Sequence, residues 1–194
     1  MLFELNSRHA AGKSCFAPLL ALLLLAVSTW ACAADVAVIE GKVVGIVDGD
    51  TIDLLISSGM IRIRLHAIDA PERGQSRGRA SRDALSRMIF GRSVQVEPVE
   101  HDRYDRLVAR IWLGETDINA AMIRQGHAWT YRRYADDPDY CTYEQMAREQ
   151  QLGLWALPPE QRRAPWEWRQ RRSLKGRFTD YTEETVELCV AALP

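Results

Sequence analysis

The chain has 194 residues, of which 25 are lysine or arginine and 26 are aspartate or glutamate, so its formal net charge is −1. A nearly neutral chain is not held on nucleic acid by its overall charge, so any affinity for phosphate groups must come from local clusters of basic residues. The length suits one domain with a substantial hydrophobic core.

The first residues have the layout of a secretory signal peptide. Arg8 and Lys13 precede an apolar run at 16–27, and Ala31-Cys32-Ala33 provides a small-residue cleavage site. The run is shorter than the roughly 20 apolar residues that span a bilayer, although an uncleaved membrane anchor is the alternative. We therefore expect a signal peptide at 1–33, a folded domain at 34–157 and a C-terminal extension at 158–194. The expected location is extracytoplasmic, either periplasmic or secreted.

The cysteines also depend on this leader. Cys15 and Cys32 would leave with it, and Cys141 and Cys189 would remain in an oxidising compartment. We expect these two to form a disulfide that ties the extension to the domain, with two free thiols as the alternative. Neither lies at a spacing typical of zinc sites or of redox motifs.

Three β-strands are predicted at the beginning of the domain. Valine and isoleucine are frequent at 36–47, and Asp48-Gly49-Asp50 predicts a turn before a second strand at 51–56. A third strand is expected at 60–67, where apolar and basic residues alternate. Alternation with a period of two directs one face to the core and the other outward, so these strands predict a meander.

Helices and two more strands follow. Apolar residues at helical spacing predict a first helix that ends at Gly91, and strands are expected at 93–99 and 107–113. Two further helices are predicted, one capped by Thr116 or Asp117 and ending at Gly126, the other running from Asp136 or Asp137 to Gly153. After 158 the prolines disfavour a regular helix, and only 182–193 is expected to form one. The expected fold is α+β and mainly β: a five-stranded barrel of the OB type with three helices and a C-terminal tail.

Charged residues fall at the predicted strand ends. Asp50 closes the first turn, and Asp69 ends the third strand, so paired strands would bring the two carboxylates together. Carboxylate oxygens without histidine or cysteine favour a hard cation. Arg64, Glu72 and Arg106 complete the set. Each of these residues alone is equally typical of an ordinary turn or solvated strand, and only the combination indicates a site.

The combination suits hydrolysis of a phosphodiester. The equatorial oxygens of the phosphorus gain negative charge during attack, and a divalent cation and two guanidinium groups would stabilise that charge. A nearby carboxylate would accept a proton from the attacking water or orient it. The sequence thus predicts a metal-dependent nuclease.

These motifs resemble those of the staphylococcal (micrococcal) nuclease, or thermonuclease, family over roughly Gly41 to Trp155. The resemblance rests on a set of motifs in the family's order, namely Val47-Asp48-Gly49-Asp50-Thr51, Arg64 followed by Asp69, Pro71 and Glu72, Asp102-Arg103-Tyr104-Asp105-Arg106, Ile123-Arg124-Gln125-Gly126 and Gly153-Leu154-Trp155. It implies an OB-fold barrel, a calcium cofactor, and endonucleolytic cleavage of DNA and RNA to 3′-phosphate products.

The resemblance also implies roles for individual residues. Asp50 and Asp69 would bind calcium through their carboxylates, and Ala70, where the family's type enzyme has threonine, through its backbone carbonyl. Glu72 would act as general base, and Arg64 and Arg106 would bind the scissile phosphate. Arg103 and Tyr104 would contact a terminal phosphate, and Tyr134 would stack on a base. The substrates would be single-stranded DNA and RNA, and the protein a monomer without a stable protein partner.

One position departs from the family's pattern. Asp105 stands where the family usually has glycine. Aspartate tolerates a left-handed backbone better than most residues, so we expect the turn to be retained. Its carboxylate would compete with phosphate for Arg106, so we expect weakened activity. The alternative function is a catalytically weak or inactive OB-fold module that binds single-stranded nucleic acid.

Overall fold

The computed structural model describes residues 38–170 and 179–194, and the predicted signal peptide lies outside them. In chain order the elements are β1 (Ile39–Ile46), β2 (Thr51–Ile56), β3 (Gly59–Leu65), β4 (Ile68–Asp69), α1 (Gly78–Ile89), β5 (Ser93–His101), β6 (Leu107–Leu113), β7 (Thr116–Asp117), α2 (Ile118–Arg124), β8 (Trp129–Thr130), α3 (Asp139–Glu149), two 3₁₀ turns at Gly153–Ala156 and Pro159–Gln161, α4 (Pro165–Arg169) and α5 (Val186–Ala191).

The predicted five-stranded barrel is confirmed. Strands β1, β2 and β3 form an antiparallel meander, β5 pairs with β1, and β6 pairs with β5. A parallel pairing between β3 and β6 closes the barrel, with Ile63 opposite Leu107. Since this pairing joins strands that are distant in the sequence, their alternating pattern did not reveal it. The fold is α+β, as expected.

The alternation in β3 has the predicted effect. Ile63 and Leu65 lie inside the barrel with almost no exposed surface, and Arg62 and Arg64 point to the other side of the strand. Successive side chains of a strand face opposite sides, so burial of Ile63 and Leu65 fixes the direction of the arginines. The hydrophobic core therefore sets the direction in which Arg64 points.

The C-terminal extension packs on a second apolar cluster. Trp129, Ala147, Leu154, Trp155 and Ala164 form this cluster, and Trp166 and Tyr181 pack against it. A disulfide joins Cys141 in α3 to Cys189 in α5, as predicted. The extension begins with a 3₁₀ turn, in keeping with its prolines, but the short helix α4 that follows was not expected. Pro165 occupies the first turn of α4, where its missing N–H costs nothing. None of the helices in the described part of the chain is long and apolar enough to cross a membrane.

Candidate active site

The turn between β1 and β2 brings Asp50 against the segment that carries Ala70. Asp48 shapes the turn, because its Oδ1 accepts a hydrogen bond from the backbone N–H of Asp50 at 3.1 Å. A side chain at Gly49 would overlap the hydroxyl of Ser81 and lie 2.7 Å from Cβ of Ala70, so the close approach requires glycine. As a result, Oδ2 of Asp50 accepts the N–H of Ala70 at 2.6 Å.

Asp69 is positioned by a sharp change of chain direction after β3. Ala67 adopts a left-handed conformation with φ of 62°, which is uncommon for a residue with a side chain. Its carbonyl accepts the N–H of Tyr131 at 2.8 Å, and Asp69 pairs with Trp129 in the short β4–β8 ladder. The side chain of Asp69 is only 1% exposed. The backbone therefore holds a carboxylate below the surface at the end of the strand.

Arg64 joins the two carboxylates. Its guanidinium forms an ion pair with Asp50, and its Nη2 lies 2.9 Å from Oδ1 of Asp69. Burial lowers the pKa of Arg64, and the charges of Asp69 and Asp48 oppose this while Arg106 and Arg169 add to it. An arginine still remains charged at any physiological pH. One guanidinium thus bridges both predicted metal ligands.

Glu72 lies beside this pair, at the edge of the site. Its side chain is 36% exposed, and its backbone N–H donates to Oε1 of Gln75 at 3.1 Å. Oε1 of Glu72 accepts a hydrogen bond from Nη1 of Arg169 at 2.8 Å. The predicted base therefore reaches solvent while remaining next to the buried carboxylates.

Arg169 is a member of the site that sequence reasoning missed. It lies at the end of α4, and its Nη2 and Nη1 lie 2.7 and 3.1 Å from Oδ2 and Oδ1 of Asp69. Burial acts to lower the pKa of Arg169, but the hydrogen bonds and charges of Asp69 and Glu72 outweigh it and raise the pKa. Only its place in an arginine-rich tail was visible in the sequence, and that pattern carries no information on a partner 100 residues earlier.

Arg106 does not contact Asp50 or Asp69. Its Nη2 and Nε lie 2.6 and 2.8 Å from Oδ2 of Asp102. Burial acts to raise the pKa of Asp102, but hydrogen bonds from the side chain and backbone of Arg106 and from the N–H of Tyr104 lower it overall. Arg106 directly precedes Leu107, which pairs with β3, and its charge acts on Arg64. It therefore flanks the site without entering the carboxylate cluster.

The loop before β6 bears out one expectation and corrects another. Asp105 adopts a left-handed backbone with φ of 60°, as the turn requires. Its carboxylate was expected to compete for Arg106, but Asp102 is the residue that holds this guanidinium. Tyr104 is largely exposed, and the guanidinium of Arg103 lies 4.9 Å from the centre of its ring. Both remain accessible to a substrate.

The predicted stacking residue Tyr134 is exposed, with its ring edge-on to Tyr131 at 4.9 Å between centroids. Tyr131 itself is stacked on Trp166 of α4, with centroids 5.5 Å apart and planes inclined by 2°. Trp129 and Trp155 lie in the core. The aromatic surface next to the site therefore includes a tryptophan from the extension.

The donor set fits a hard cation. Asp50 and Asp69 offer carboxylate oxygens close enough to share one guanidinium, and Ala70 adds a backbone carbonyl in the same segment. Across 38–170 and 179–194 no group of three or more His, Cys, Asp or Glu side chains is arranged to hold a metal ion. A cation at this site would therefore complete its coordination with backbone oxygen and water, as calcium and magnesium commonly do.

Comparisons with known proteins agree with this geometry. The model of the family described as staphylococcal nuclease homologue matches residues 62–157. The chain is 42% identical to the micrococcal nuclease of Shigella flexneri over 159 residues. This alignment covers 76% of the present chain and 87% of that protein. The chain is 40% identical over 161 residues to Protein ParB of Escherichia coli, covering 77% and 86%, and 38% identical over 139 residues to an uncharacterized endonuclease of the same species, covering 69% and 87%.

The family match begins at residue 62 and so includes Arg64, Asp69, Glu72 and Arg106. Asp50 precedes the matched region, but the structure brings it to Ala70 and Arg64. Identity of about two residues in five over most of both chains is too extensive to reflect the fold alone. The chain belongs to the staphylococcal nuclease family and is an endonuclease that hydrolyses phosphodiester bonds.

Proposed function

We propose that this endonuclease is a calcium-dependent enzyme of an extracytoplasmic compartment that cleaves DNA and RNA to 3′-phosphate products. The observation that carries the proposal is the convergence of Asp50, Arg64 and Asp69 at adjacent strand ends with Glu72 beside them. Asp50 and Asp69, with the carbonyl of Ala70, would hold the calcium. Bound calcium would supply positive charge that offsets the charge gained by the phosphate oxygens.

The arginines act on the scissile phosphate. Arg64 offers a guanidinium whose direction is fixed by two carboxylates before a phosphate binds. Arg106 flanks the site and would exchange its contact with Asp102 for one with phosphate. Guanidinium groups bind phosphate oxygens through two parallel hydrogen bonds, which strengthens the contact as negative charge accumulates.

Glu72 acts as the general base. Its carboxylate accepts a proton from water, and the oxygen of that water forms a bond to phosphorus. The bond between phosphorus and the 5′-oxygen breaks, and the leaving oxygen takes a proton from solvent. The phosphoryl group stays on the 3′-oxygen, so the products carry a 3′-phosphate and a 5′-hydroxyl. General base catalysis of this kind typically contributes about 10²–10⁴-fold in rate.

Contacts outside the reacting phosphate would favour single strands. Arg103 and Tyr104 are exposed next to Arg106 and would bind a neighbouring or terminal phosphate. Tyr134 presents an exposed ring on which an unpaired base would stack, a contact typically worth about 1–3 kcal/mol. Bases are accessible for stacking only where they are unpaired, and the protein would act as a monomer.

An extracytoplasmic location of the protein would suit its disulfide. The bond between Cys141 and Cys189 would persist in an oxidising compartment, which supports a periplasmic or secreted location. The predicted leader at 1–33 would direct the chain there.

Hydrolysis of single-stranded DNA and RNA, with calcium and with a chelator, tests the proposal. We expect cleavage with calcium only and products with 3′-phosphate ends. Glu72→Gln should lower the rate about 100-fold or more because it removes the base. Glu100→Gln, which changes an exposed carboxylate of β5, should leave the rate unchanged. Undiminished cleavage in the chelator, or 5′-phosphate ends, would contradict the assignment.

A further inference from the structure

The C-terminal extension places a positive charge on a predicted metal ligand. Both nitrogens of the Arg169 fork lie against the carboxylate of Asp69, at 2.7 and 3.1 Å, and one of them also reaches Glu72 at 2.8 Å. The guanidinium therefore contacts both a residue proposed to hold the cation and the residue proposed to activate water. Sequence motifs of the nuclease domain end before this segment, and the family match stops at residue 157.

Arg169 leaves little capacity on Asp69 for a cation. Oδ1 accepts hydrogen bonds from both Arg64 and Arg169, which uses its two lone pairs. Oδ2 accepts from Arg169 as well, and the whole side chain is 1% exposed. A cation that approached Oδ2 would lie next to a guanidinium of the same sign, and like charges at such distances repel.

The position of Arg169 is fixed by the packing of α4. Trp166 stacks on Tyr131 and packs edge-on against Trp129, at 5.8 Å between centroids. The carboxylate of Glu167 accepts a hydrogen bond from the hydroxyl of Tyr181 at 3.2 Å, and the carbonyl of Arg163 accepts one from Gln75. Because these contacts hold both ends of the segment, the guanidinium lies on Asp69 as part of a docked element.

We propose that Arg169 is an intramolecular competitor of the divalent cation, so that the cation must displace its guanidinium from Asp69 to bind. The proposal rests on the function proposed above and adds regulation of the same site. Without the cation, Arg169 neutralises Asp69 and engages Glu72. With the cation bound, the guanidinium leaves Asp69, and Glu72 loses the partner that restrains it. The divalent cation and the guanidinium of Arg169 therefore weaken each other's binding to Asp69 by the same factor.

Side-chain substitutions separate this competition from general effects of charge. Arg169→Ala removes the competitor, and Arg169→Lys keeps the charge but loses the paired contact with Asp69. Arg79→Ala is the matched control, because it removes one positive charge at an almost fully exposed position of α1 whose ion pair is with Asp83. Asp69→Asn in the Arg169→Ala background tests whether the cation binds at the proposed place.

Titration calorimetry of the purified proteins with calcium, without substrate, gives the affinity directly. We expect Arg169→Ala to bind calcium about tenfold more tightly than the unchanged protein, corresponding to loss of one charge-assisted paired contact. The calcium affinity of Arg169→Lys should lie between those of the unchanged protein and Arg169→Ala, and Arg79→Ala should bind calcium as the unchanged protein does. Asp69→Asn in the Arg169→Ala background should abolish the gain in affinity.

The outcomes separate this inference from the proposed function. Equal or weaker calcium binding by Arg169→Ala overturns the competition while leaving the calcium site intact. Tighter binding that survives Asp69→Asn, or that Arg79→Ala reproduces, also overturns it. If neither the unchanged protein nor Arg169→Ala binds calcium, then the proposed calcium dependence itself fails, and the inference fails with it.

Discussion

Arg64 couples the stability of the site to its chemistry. In the sequence, Arg64 falls on the face of its strand that points away from the core and Arg106 falls before the next strand, so removal of either side chain would be expected to leave folding nearly intact. The side chain of Arg64 is only 13% exposed and neutralises two buried carboxylates, whereas that of Arg106 is 30% exposed and pairs with Asp102. The structure therefore corrects the expectation for Arg64 and supports it for Arg106.

The two arginines should differ on substitution by alanine. Arg64→Ala should abolish most activity and lower the free energy of unfolding by about 3 kcal/mol, because it leaves Asp50 and Asp69 without their shared partner. Arg106→Ala should reduce activity by about 100-fold or more, with a stability change below about 1 kcal/mol, since its ion pair is partly solvated. Urea unfolding without metal and initial rates with calcium measure both quantities. Equal stability of the two variants would contradict the bridging role of Arg64.

At the scale of elements, a buried ion network joins α3 to the end of the extension. Glu144 is almost fully buried and accepts hydrogen bonds from Arg132, Arg148 and the N–H of Thr130, at 2.8, 2.8 and 2.7 Å. Glu184, shortly before α5, pairs with both arginines. Burial acts to raise the pKa of Glu144, but the arginines outweigh it and lower the pKa. The network and the disulfide hold the same two segments together.

The stability of this junction should fall at acid pH. The pKa of Glu144 is lower in the folded than in the unfolded chain, so its contribution is present above the unfolded pKa and is lost as the pH falls through the folded value. The loss should begin below about pH 4.3, the ordinary value of a glutamate. Glu144→Gln should cost about 3 kcal/mol at neutral pH and flatten the acid limb of the stability curve.

Thermal unfolding from neutral to acid pH measures this effect. Glu149→Gln, an exposed substitution on the same helix, provides the matched control and should follow the unchanged protein at every pH. An acid limb in Glu144→Gln as steep as that of the unchanged protein would show that other groups cause the loss.

The elements also show how far sequence patterns extend. Periodicity and turn residues predicted the barrel strands to within a few residues, because each strand's burial is a local property. The ends of β2 and β3 bring Asp50 and Arg64 together, as expected from pairing of neighbouring strands. The parallel closure by β6, the contact of Arg169 with Asp69 and the stacking of Trp166 on Tyr131 join distant segments, and no periodicity within a segment encodes its distant partner.

At the scale of the whole molecule, affinity for nucleic acid must come from the site. The net charge of −1 provides no long-range attraction to a polyanion. Basic groups of the proposed site would therefore supply the electrostatic binding, and some of them are already paired, as Arg64 and Arg106 are with aspartates. Each of these pairs must open or share its guanidinium when a phosphate binds, which limits the gain in affinity.

The salt dependence of binding should reveal this small number of contacts. If Arg64, Arg103 and Arg106 each neutralise one phosphate, the logarithm of the association constant for single-stranded DNA should fall with the logarithm of salt concentration with a slope of about −2, at about −0.7 per phosphate. Arg103→Ala should reduce the slope by one such unit. Arg92→Ala, a control at an exposed position after α1, should leave it unchanged. Fluorescence anisotropy with the Glu72→Gln protein, in which cleavage is slowed, measures the slope. A value far steeper than −2 would mean that a wider basic surface binds the strand.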